Sequence, residues 1–226
     1  MAKLYLLRHF NSQWNKENRF TGWVDIPLSA EGKKEVKKIA RVLKQKKFDV
    51  IYTSSLFRNL DSVARILEEM DFPYPVFCHL DEGLMKKRGN FEAIHQNYFP
   101  VFVTEKLNER FYGELQGKNK DEVIKEKGSE MVKLWRRSYK IPPPQGESLK
   151  DVVKRISPFF RKYLQQDLKK GKNVLIITSH NPLRAIIKLV ENVSEKEIPK
   201  VELFPGTLVE YDLGDDLKVT KKIVYN

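Results

Sequence analysis

Two apolar runs of strand length stop abruptly at histidine, and they restrict the kind of fold open to this chain. Lys3-Leu4-Tyr5-Leu6-Leu7 ends at Arg8-His9, and Val174-Leu175-Ile176-Ile177-Thr178 ends at Ser179-His180. Short runs that are apolar throughout suit strands covered on both faces. Asp49–Tyr52 reads as another strand, and Thr207–Leu213 and Lys218–Val224 as two late ones joined through Gly214-Asp215-Asp216. Segments of helical period lie between them. Ala30–Gln45 places Val36, Ile39, Ala40, Val42 and Leu43 on or near one face, with Ser29 as its N-cap. Further helices are expected from about Leu56 to Met70, from Leu149 to about Leu168 with a kink at Pro158, and over Pro182–Glu191. Strands separated by helices imply an α/β fold around a mostly parallel sheet. Ligands of such sheets sit at the carboxyl ends of the strands, where His9 and His180 stand. Two ordinary strand-end histidines would give the same pattern.

Composition narrows the function classes. The chain has 226 residues, 41% of them hydrophobic, which suits one globular domain carrying an inserted segment. A single cysteine, Cys78, excludes an intrachain disulfide framework and a cysteine-based zinc site, and fits a reducing compartment. Leu4 to Leu7 is too short for a signal-peptide core and no run approaches a membrane span, so a cytoplasmic protein is expected. The net charge of +12 points to anionic partners, either nucleic acid or small phosphorylated or carboxylated molecules, or to a lysine-rich solvated surface. Phe72–Val103, with clustered Pro, Gly and aromatic residues around a helical patch, and the polar stretch Glu109–Ser148 interrupt the alternation. Such excursions carry function or interfaces.

Several segments can supply groups for anion chemistry. Arg8 neighbours His9, and Arg58 follows the second strand, so both fall at one end of a parallel sheet. Arginine binds phosphoryl oxygens bidentately. A neutral imidazole nitrogen attacks phosphorus, giving a covalent intermediate that splits one transfer into two. Transfer from an oxygen leaving group also needs a proton donor, for which Glu109, beside Arg110, is the candidate. Singly, each has an ordinary reading as a surface ion pair.

Together the segments resemble the histidine phosphatase superfamily and, within it, the cofactor-dependent phosphoglycerate mutases, over nearly the whole chain. Leu7-Arg8-His9-Phe10-Asn11-Ser12-Gln13-Trp14-Asn15 is similar to L-R-H-G-x-S-x-W-N, and Asn18 to Ser29 to N-x-F-T-G-W-x-D-x-x-L-S. Glu109-Arg110-Phe111-Tyr112-Gly113 resembles the stretch around the family's acid, and Trp135-Arg136-Arg137 with Pro142-Pro143-Pro144 and Gly146-Glu147-Ser148-Leu149 follows. The Arg-His block alone indicates the superfamily; the Thr-Gly-Trp, Glu-Arg-x-Tyr-Gly and Trp-Arg-Arg blocks point to the mutase branch. The resemblance implies a phosphoglycerate mutase-like three-layer α/β/α sandwich over residues 1–226, with an insertion at about 72–97. It implies that His9 is the phosphorylated nucleophile, that Arg8, Arg58 and His180 surround the transferred phosphoryl group, and that Glu109 donates and accepts the proton. Asn15, Thr21, Gly22, Arg110, Tyr112, Lys120, Arg136, Arg137 and Asn181 would hold the rest of the substrate. It further implies priming by 2,3-bisphosphoglycerate, no metal, and conversion of 3-phosphoglycerate to 2-phosphoglycerate in glycolysis and gluconeogenesis. The partner is then a small phosphorylated carboxylate, not nucleic acid or membrane, with homodimer and homotetramer both open. The alternatives are a phosphatase using the same phosphohistidine, a catalytically impaired member, and a non-catalytic binding module. Retention of Arg8, His9, Arg58, Glu109 and His180 argues against the last. No nucleic-acid motif supports the charge-based reading.

The chain departs from the family pattern in four places. Phe10 replaces a glycine, and His180-Asn181-Pro182-Leu183-Arg184-Ala185 is one residue shorter than H-G-N-S-L-R-A, so a glycine is missing beside both histidines. Either the Phe10 ring fills the space freed by the shorter turn, or the two changes narrow or cripple the phosphate site. The longer spacing from Arg58 to Glu109 places extra residues between Phe72 and Asn97, expected as a lid or interface patch, with no catalytic role for His79 or His95. The chain also ends soon after Ile223, without the tail that many mutases carry, which would favour hydrolysis.

Overall fold

The run that opens the chain forms strand β1 (Ala2–Arg8), and every later element is placed by how it packs on this strand and its neighbours. The computed structural model describes residues 1–70, 72–89 and 98–226. In chain order the elements after β1 are α1 (Gln13–Lys16), α2 (Ala30–Leu43), β2 (Val50–Thr53), α3 (Phe57–Glu69), β3 (Tyr74–His79), α4 (Leu84–Gly89) and β4 (Tyr98–Val103). They continue as α5 (Lys120–Lys127), α6 (Ser129–Arg137), α7 (Leu149–Phe159), α8 (Gln165–Lys169), β5 (Val174–Thr178), α9 (His180–Glu191), β6 (Leu208–Leu213) and β7 (Val219–Tyr225). The strands form one sheet in the order β3-β4-β2-β5-β1-β6-β7. The first five are mutually parallel, and β6 and β7 are antiparallel to their neighbours.

Side chains alternate across a strand, and the two faces of this sheet are buried under different helices. Tyr5, Leu7, Ile51, Leu175 and Ile177 pack with Val36, Ile39 and Leu43 of α2 and Val63 and Ile66 of α3. Leu4, Leu6, Val50, Tyr52, Val174 and Ile176 pack with Leu149, Val152 and Ile156 of α7 and Leu183 and Ile186 of α9. That is the expected α/β/α sandwich. Ser29 caps α2 as expected, accepting from the Gly32 N–H at 3.0 Å. A third, smaller cluster of Phe20, Leu115, Val123, Val132 and Trp135 gives the polar excursion its own core.

Three differences from the sequence reading have physical causes. The long C-terminal helix does not run on as one α-helix: α7 gives way after Pro158 to a five-residue π segment, Phe160–Leu164, before α8. Proline lacks the N–H that would close the preceding turn, and its ring crowds the carbonyl four residues back, so the ladder resumes at wider pitch. The segment around Phe72 forms edge strand β3 over residues 74–79, while residues 90–97, with His95, lie outside the described residues. Prolines hide these strands: Pro75 lies on the sheet edge, and Pro100 stands one residue before the β2–β4 ladder begins at Val101. The polar stretch Glu109–Ser148 contains α5, capped by Asn119, and α6, both under ten residues and too short for a clear periodic signal.

Candidate active site

Register brings the two strand-end histidines together. Arg8 pairs with Thr178 across the parallel β1–β5 ladder, so both chains leave the sheet at one level, and the His9 N–H donates to Thr178 O at 2.9 Å. His9 Nδ1 lies 2.6 Å from its neighbour's carbonyl, Phe10 O. A carbonyl only accepts, so Nδ1 carries the hydrogen and the lone pair is on Nε2. Burial, reinforced by Arg58 and Arg8, holds the imidazole well below its ordinary pKa. His9 is therefore neutral at pH 7 and nucleophilic at a defined atom.

The flanking cations are held by backbone carbonyls. Arg58, in the first turn of α3, donates Nη1 to Val24 O (3.0 Å) and Nη2 to Gly22 O (2.7 Å). Its burial lowers its pKa to about 10, so it stays charged. Gly22 has φ +57°, and a Cβ there would lie 2.3 Å from Gln116 Oε1, which accepts from the Trp23 N–H at 2.7 Å. The turn that anchors Arg58 therefore requires glycine. Arg8 donates Nη1 to Leu203 O at 2.5 Å, while its buried Nε has no partner among the described residues.

Glu109 lines the same cavity as His9, held at the start of α9. Its Oε1 accepts from the Arg110 N–H (2.6 Å), from Asn181 Nδ2 (2.8 Å) and from the Asn181 N–H (3.3 Å). Asn181 lies in the first turn of α9, whose N-cap Ser179 makes no side-chain cap bond, so the carboxylate satisfies a free helix N–H and meets the positive end of the helix dipole. The Glu109 carbonyl accepts from Trp23 Nε1 (2.6 Å) and from Arg155 Nη2 (3.2 Å). Arg155 of α7 also donates to the carbonyls of Glu105, Lys106 and Asn108 and makes two bonds to Glu147. A single guanidinium thus clamps the loop that aims Glu109.

His180 opens α9 with Nε2 3.4 Å from the Leu203 N and 3.5 Å from Glu202 Oε1. Burial and then Arg184, Arg8 and Arg137 press its pKa well below the ordinary value. Lys120, the first residue of α5, donates to Asn18 Oδ1 at 3.2 Å, and burial, helped by Arg136 and Arg8, lowers it to about 8.

These groups enclose one cavity of about 200 Å³. Thirteen of the fourteen residues singled out in the sequence line it: Arg8, His9, Asn15, Thr21, Gly22, Arg58, Glu109, Tyr112, Lys120, Arg136, Arg137, His180 and Asn181. Arg110 is the exception. It is buried behind Tyr112, its guanidinium 4.7 Å from that ring and bonded to the hydroxyl at 3.3 Å, with Nε and Nη1 unpartnered among the described residues. Four lining residues were not foreseen: Arg19, Phe20, Arg184 and Glu202. Arg184 stands four residues after His180 on one helix face, a spacing that could have revealed it. Glu202 lies in irregular chain and carries no such signal.

Phe10 does not fill the turn after His180. Its ring is fully buried in the core with Leu7, Leu28 and Leu208, on the α2 side of the sheet. The room comes from Gly206 (φ +79°), where a Cβ would stand 3.3 Å from the ring. The Gly206 N–H donates to Arg8 O at 3.1 Å, so the ring packs under the chain that closes the end of β1.

Comparison with known proteins fits this geometry. The chain is 42% identical over 226 residues to the 2,3-bisphosphoglycerate-dependent phosphoglycerate mutase of Methanococcus vannielii, covering all of this chain and 95% of that one. It is 42% identical to the protein of that name from Chlamydia muridarum, over 98% and 97% of the two chains. It is 39% identical to 2,3-bisphosphoglycerate-dependent phosphoglycerate mutase 1 of Gloeobacter violaceus, over 99% of each. Among solved structures, Bacillus stearothermophilus YhfR superposes with a TM-score of 0.74 at 20% identity, over 95% of this chain and 92% of that one. A native mycobacterial glucosyl-3-phosphoglycerate phosphatase also gives 0.74, at 17% identity over 100% and 97%. At such identities the likeness is one of fold. The family model of the histidine phosphatase superfamily (branch 1) matches residues 4–99 and 88–225. With that match spanning both strand-end histidines and the loops that join them into one site, the chain belongs to the histidine phosphatase superfamily.

Proposed function

We propose that this protein is a 2,3-bisphosphoglycerate-dependent phosphoglycerate mutase, interconverting 3-phosphoglycerate and 2-phosphoglycerate through a phosphohistidine on His9. The observation that carries the reading is the His9 ring: Nδ1 is tied to Phe10 O, and the ring lines a cavity with Arg8, Arg58 and Glu109, where Nε2 has no hydrogen-bond partner among the described residues. Full-length relatives at about 40% identity that bear this name support it. The setting is then glycolysis and gluconeogenesis, in the cytoplasm.

The cavity suits a small molecule with two phosphates and a carboxylate. Arg8, Arg19, Arg58, Lys120, Arg136, Arg137 and Arg184 line it, and the buried Arg8 Nε, Thr21 Oγ1 and Asn181 Oδ1 have no partner among the described residues. Arg8, Arg58 and His180 would hold one phosphoryl group of 2,3-bisphosphoglycerate, and Lys120, Arg136 and Arg137 the groups at the other end. When bound, 2,3-bisphosphoglycerate supplies the phosphoryl group that loads His9.

In the transfer, Glu109 takes the proton from the C2 hydroxyl of 3-phosphoglycerate as that oxygen bonds to phosphorus and the bond from phosphorus to His9 Nε2 breaks. In the second half His9 Nε2 attacks the other phosphoryl group, and Glu109 returns the proton to the departing O3. Oε1 is occupied by three donors among the described residues, which assigns the proton to Oε2. Arg8 and Arg58 stabilise charge on the equatorial oxygens without having to reorganise.

The test follows 2-phosphoglycerate and free phosphate together, from 3-phosphoglycerate with and without 2,3-bisphosphoglycerate. Isomerisation that depends on the bisphosphate, with little phosphate released, and lost in His9→Ala, is expected. Phosphate release without isomerisation would move the protein to the phosphatases, and no turnover would refute the enzyme reading.

A further inference from the structure

Glu202 has no part in the transfer derived above, yet it is one of two carboxylates on the cavity wall. Its Oε2 accepts from Arg137 Nη1 and lies 3.7 Å from Arg184 Nη2, and its Oε1 lies 3.5 Å from His180 Nε2. The chain on either side of it is clamped. Buried Arg184 donates Nε to Val201 O (2.6 Å) and Nη2 to Pro199 O (2.9 Å), and Arg8 donates Nη1 to Leu203 O (2.5 Å). The backbone therefore holds the carboxylate at the cavity while the side chain keeps its rotamer freedom. The pair itself meets water, with Glu202 37% and Arg137 40% exposed, and an ion pair so placed exchanges partners at little cost.

We propose that Glu202 is an internal competitor for the carboxylate of the ligand: it occupies Arg137 in the free protein, and a phosphorylated carboxylate must displace it to bind. This rests on the reading of Arg137 as a holder of the substrate carboxylate. Three consequences follow from the geometry. Binding exchanges one arginine–carboxylate contact for another, so the contact adds little net affinity. Once displaced, Glu202 remains beside the ligand as a like charge, because its backbone cannot leave. A ligand with a phosphoryl group but no carboxylate leaves the Arg137–Glu202 pair intact. The residue thus sets how tightly phosphorylated carboxylates are held in the ground state. Weak ground-state binding suits an enzyme whose substrate and product differ only in the position of one phosphoryl group, since tight binding of either would trap it.

Calorimetric titration of 3-phosphoglycerate and of glycerol 3-phosphate, which lacks the carboxylate, into the wild type, Glu202→Gln and Glu202→Ala tests this directly. Both variants should bind 3-phosphoglycerate roughly three- to tenfold more tightly, with glycerol 3-phosphate changed by less than about twofold. In an Arg137→Met background Glu202→Gln should no longer change 3-phosphoglycerate affinity, because the contact under competition is gone. Equal tightening of both ligands would make Glu202 a general repulsive charge and overturn the proposal. So would unchanged or weaker 3-phosphoglycerate binding in both variants, or no binding by any of the proteins. Glutamine is isosteric and alanine smaller at a part-exposed position, so a fold defect in one leaves the other to be read. Failure of the mutase reading looks different: the wild type would form no 2-phosphoglycerate while the affinity pattern held.

Discussion

Replacing Arg155 by methionine tests whether Glu109 is aimed from a distance. The guanidinium donates to the carbonyls of Glu105 (3.0 Å), Lys106 (2.9 Å), Asn108 (3.1 Å) and Glu109 (3.2 Å), and to both oxygens of Glu147 (2.9 and 3.0 Å). It also lies 5.6 Å from the Trp23 ring, whose Nε1 holds the Glu109 carbonyl from the other side. Methionine keeps the stem and removes the fork. The carbonyls of Glu105 and Lys106 are at exposed contacts and rehydrate, the Glu109 carbonyl keeps Trp23, and Glu147 Oε2 keeps the Phe111 N–H at 2.9 Å. What stays unpaired is Asn108 O and Glu147 Oε1, at about 1–2 kcal/mol each, so the expected loss is about 2–4 kcal/mol in urea unfolding. None of the cavity cations is touched, so KM for 3-phosphoglycerate should hold. A shift of Glu109 by about 1 Å should lower kcat about a hundredfold. Arg155→Lys, a cation with three donors and no fork, should recover part of kcat along with part of the stability. A raised KM with kcat intact, or an activity loss equal to the unfolded fraction, would refute the positioning role.

Three further outcomes follow from the site and its support. Lys120 binds an anion only when protonated, and burial has lowered it to about 8, so KM for 3-phosphoglycerate should rise as pH climbs through that value, and Lys120→Met should flatten the rise. His9 must be neutral to attack, and burial with Arg58 and Arg8 holds it well below 6.5. Steady-state rates should therefore show no acid limb near pH 6.5, and an inflection there that coincides with titration of the His9 ring followed by NMR would refute this. Phe10 is fully buried against Gly206, so Phe10→Ala should cost about 3–5 kcal/mol in denaturant titration; a cost below about 1 kcal/mol would mean that the ring is not a core residue.

The sandwich was legible because its parallel strands are apolar throughout and its helices strongly one-faced, as in Leu4–Leu7 and the α2 stripe. The site was legible at strand ends, where Arg8, His9 and His180 stand by register alone, and in the resemblance blocks that supplied Tyr112, Lys120 and Arg137. β3 and β4 were obscured because each carries a proline. The partner of Phe10 was misread because contact across 196 residues of sequence, from Phe10 to Gly206, leaves no local trace. Arg155 and Glu202 act through backbone carbonyls and through loop 199–203, and neither kind of contact has a sequence period.

Three arginines of this site share one device. Arg58 is held by the carbonyls of Gly22 and Val24, Arg8 by that of Leu203, and Arg184 by those of Val201 and Pro199. A carbonyl satisfies an N–H through its dipole and leaves the charge of the guanidinium uncancelled, whereas a carboxylate partner would neutralise it. Arg8 and Arg58 are thus fixed in place and still present a positive field to a phosphoryl group, while Arg184 also lies 3.7 Å from Glu202 Oε2. Each bond also ties a loop on one strand end to a residue on another, so the field and the shape of the cavity form together. Where full charge pairs do occur, the function differs. Arg155 is paired with Glu147 and stands off the cavity wall, where its charge is not needed and its geometry is. Arg137 is paired with Glu202 on the wall itself, where a ligand carboxylate would have to compete for it. The pairing pattern therefore separates Arg8 and Arg58, whose charge faces the cavity uncancelled, from Arg155, which holds a loop, and from Arg137, whose charge is kept in reserve.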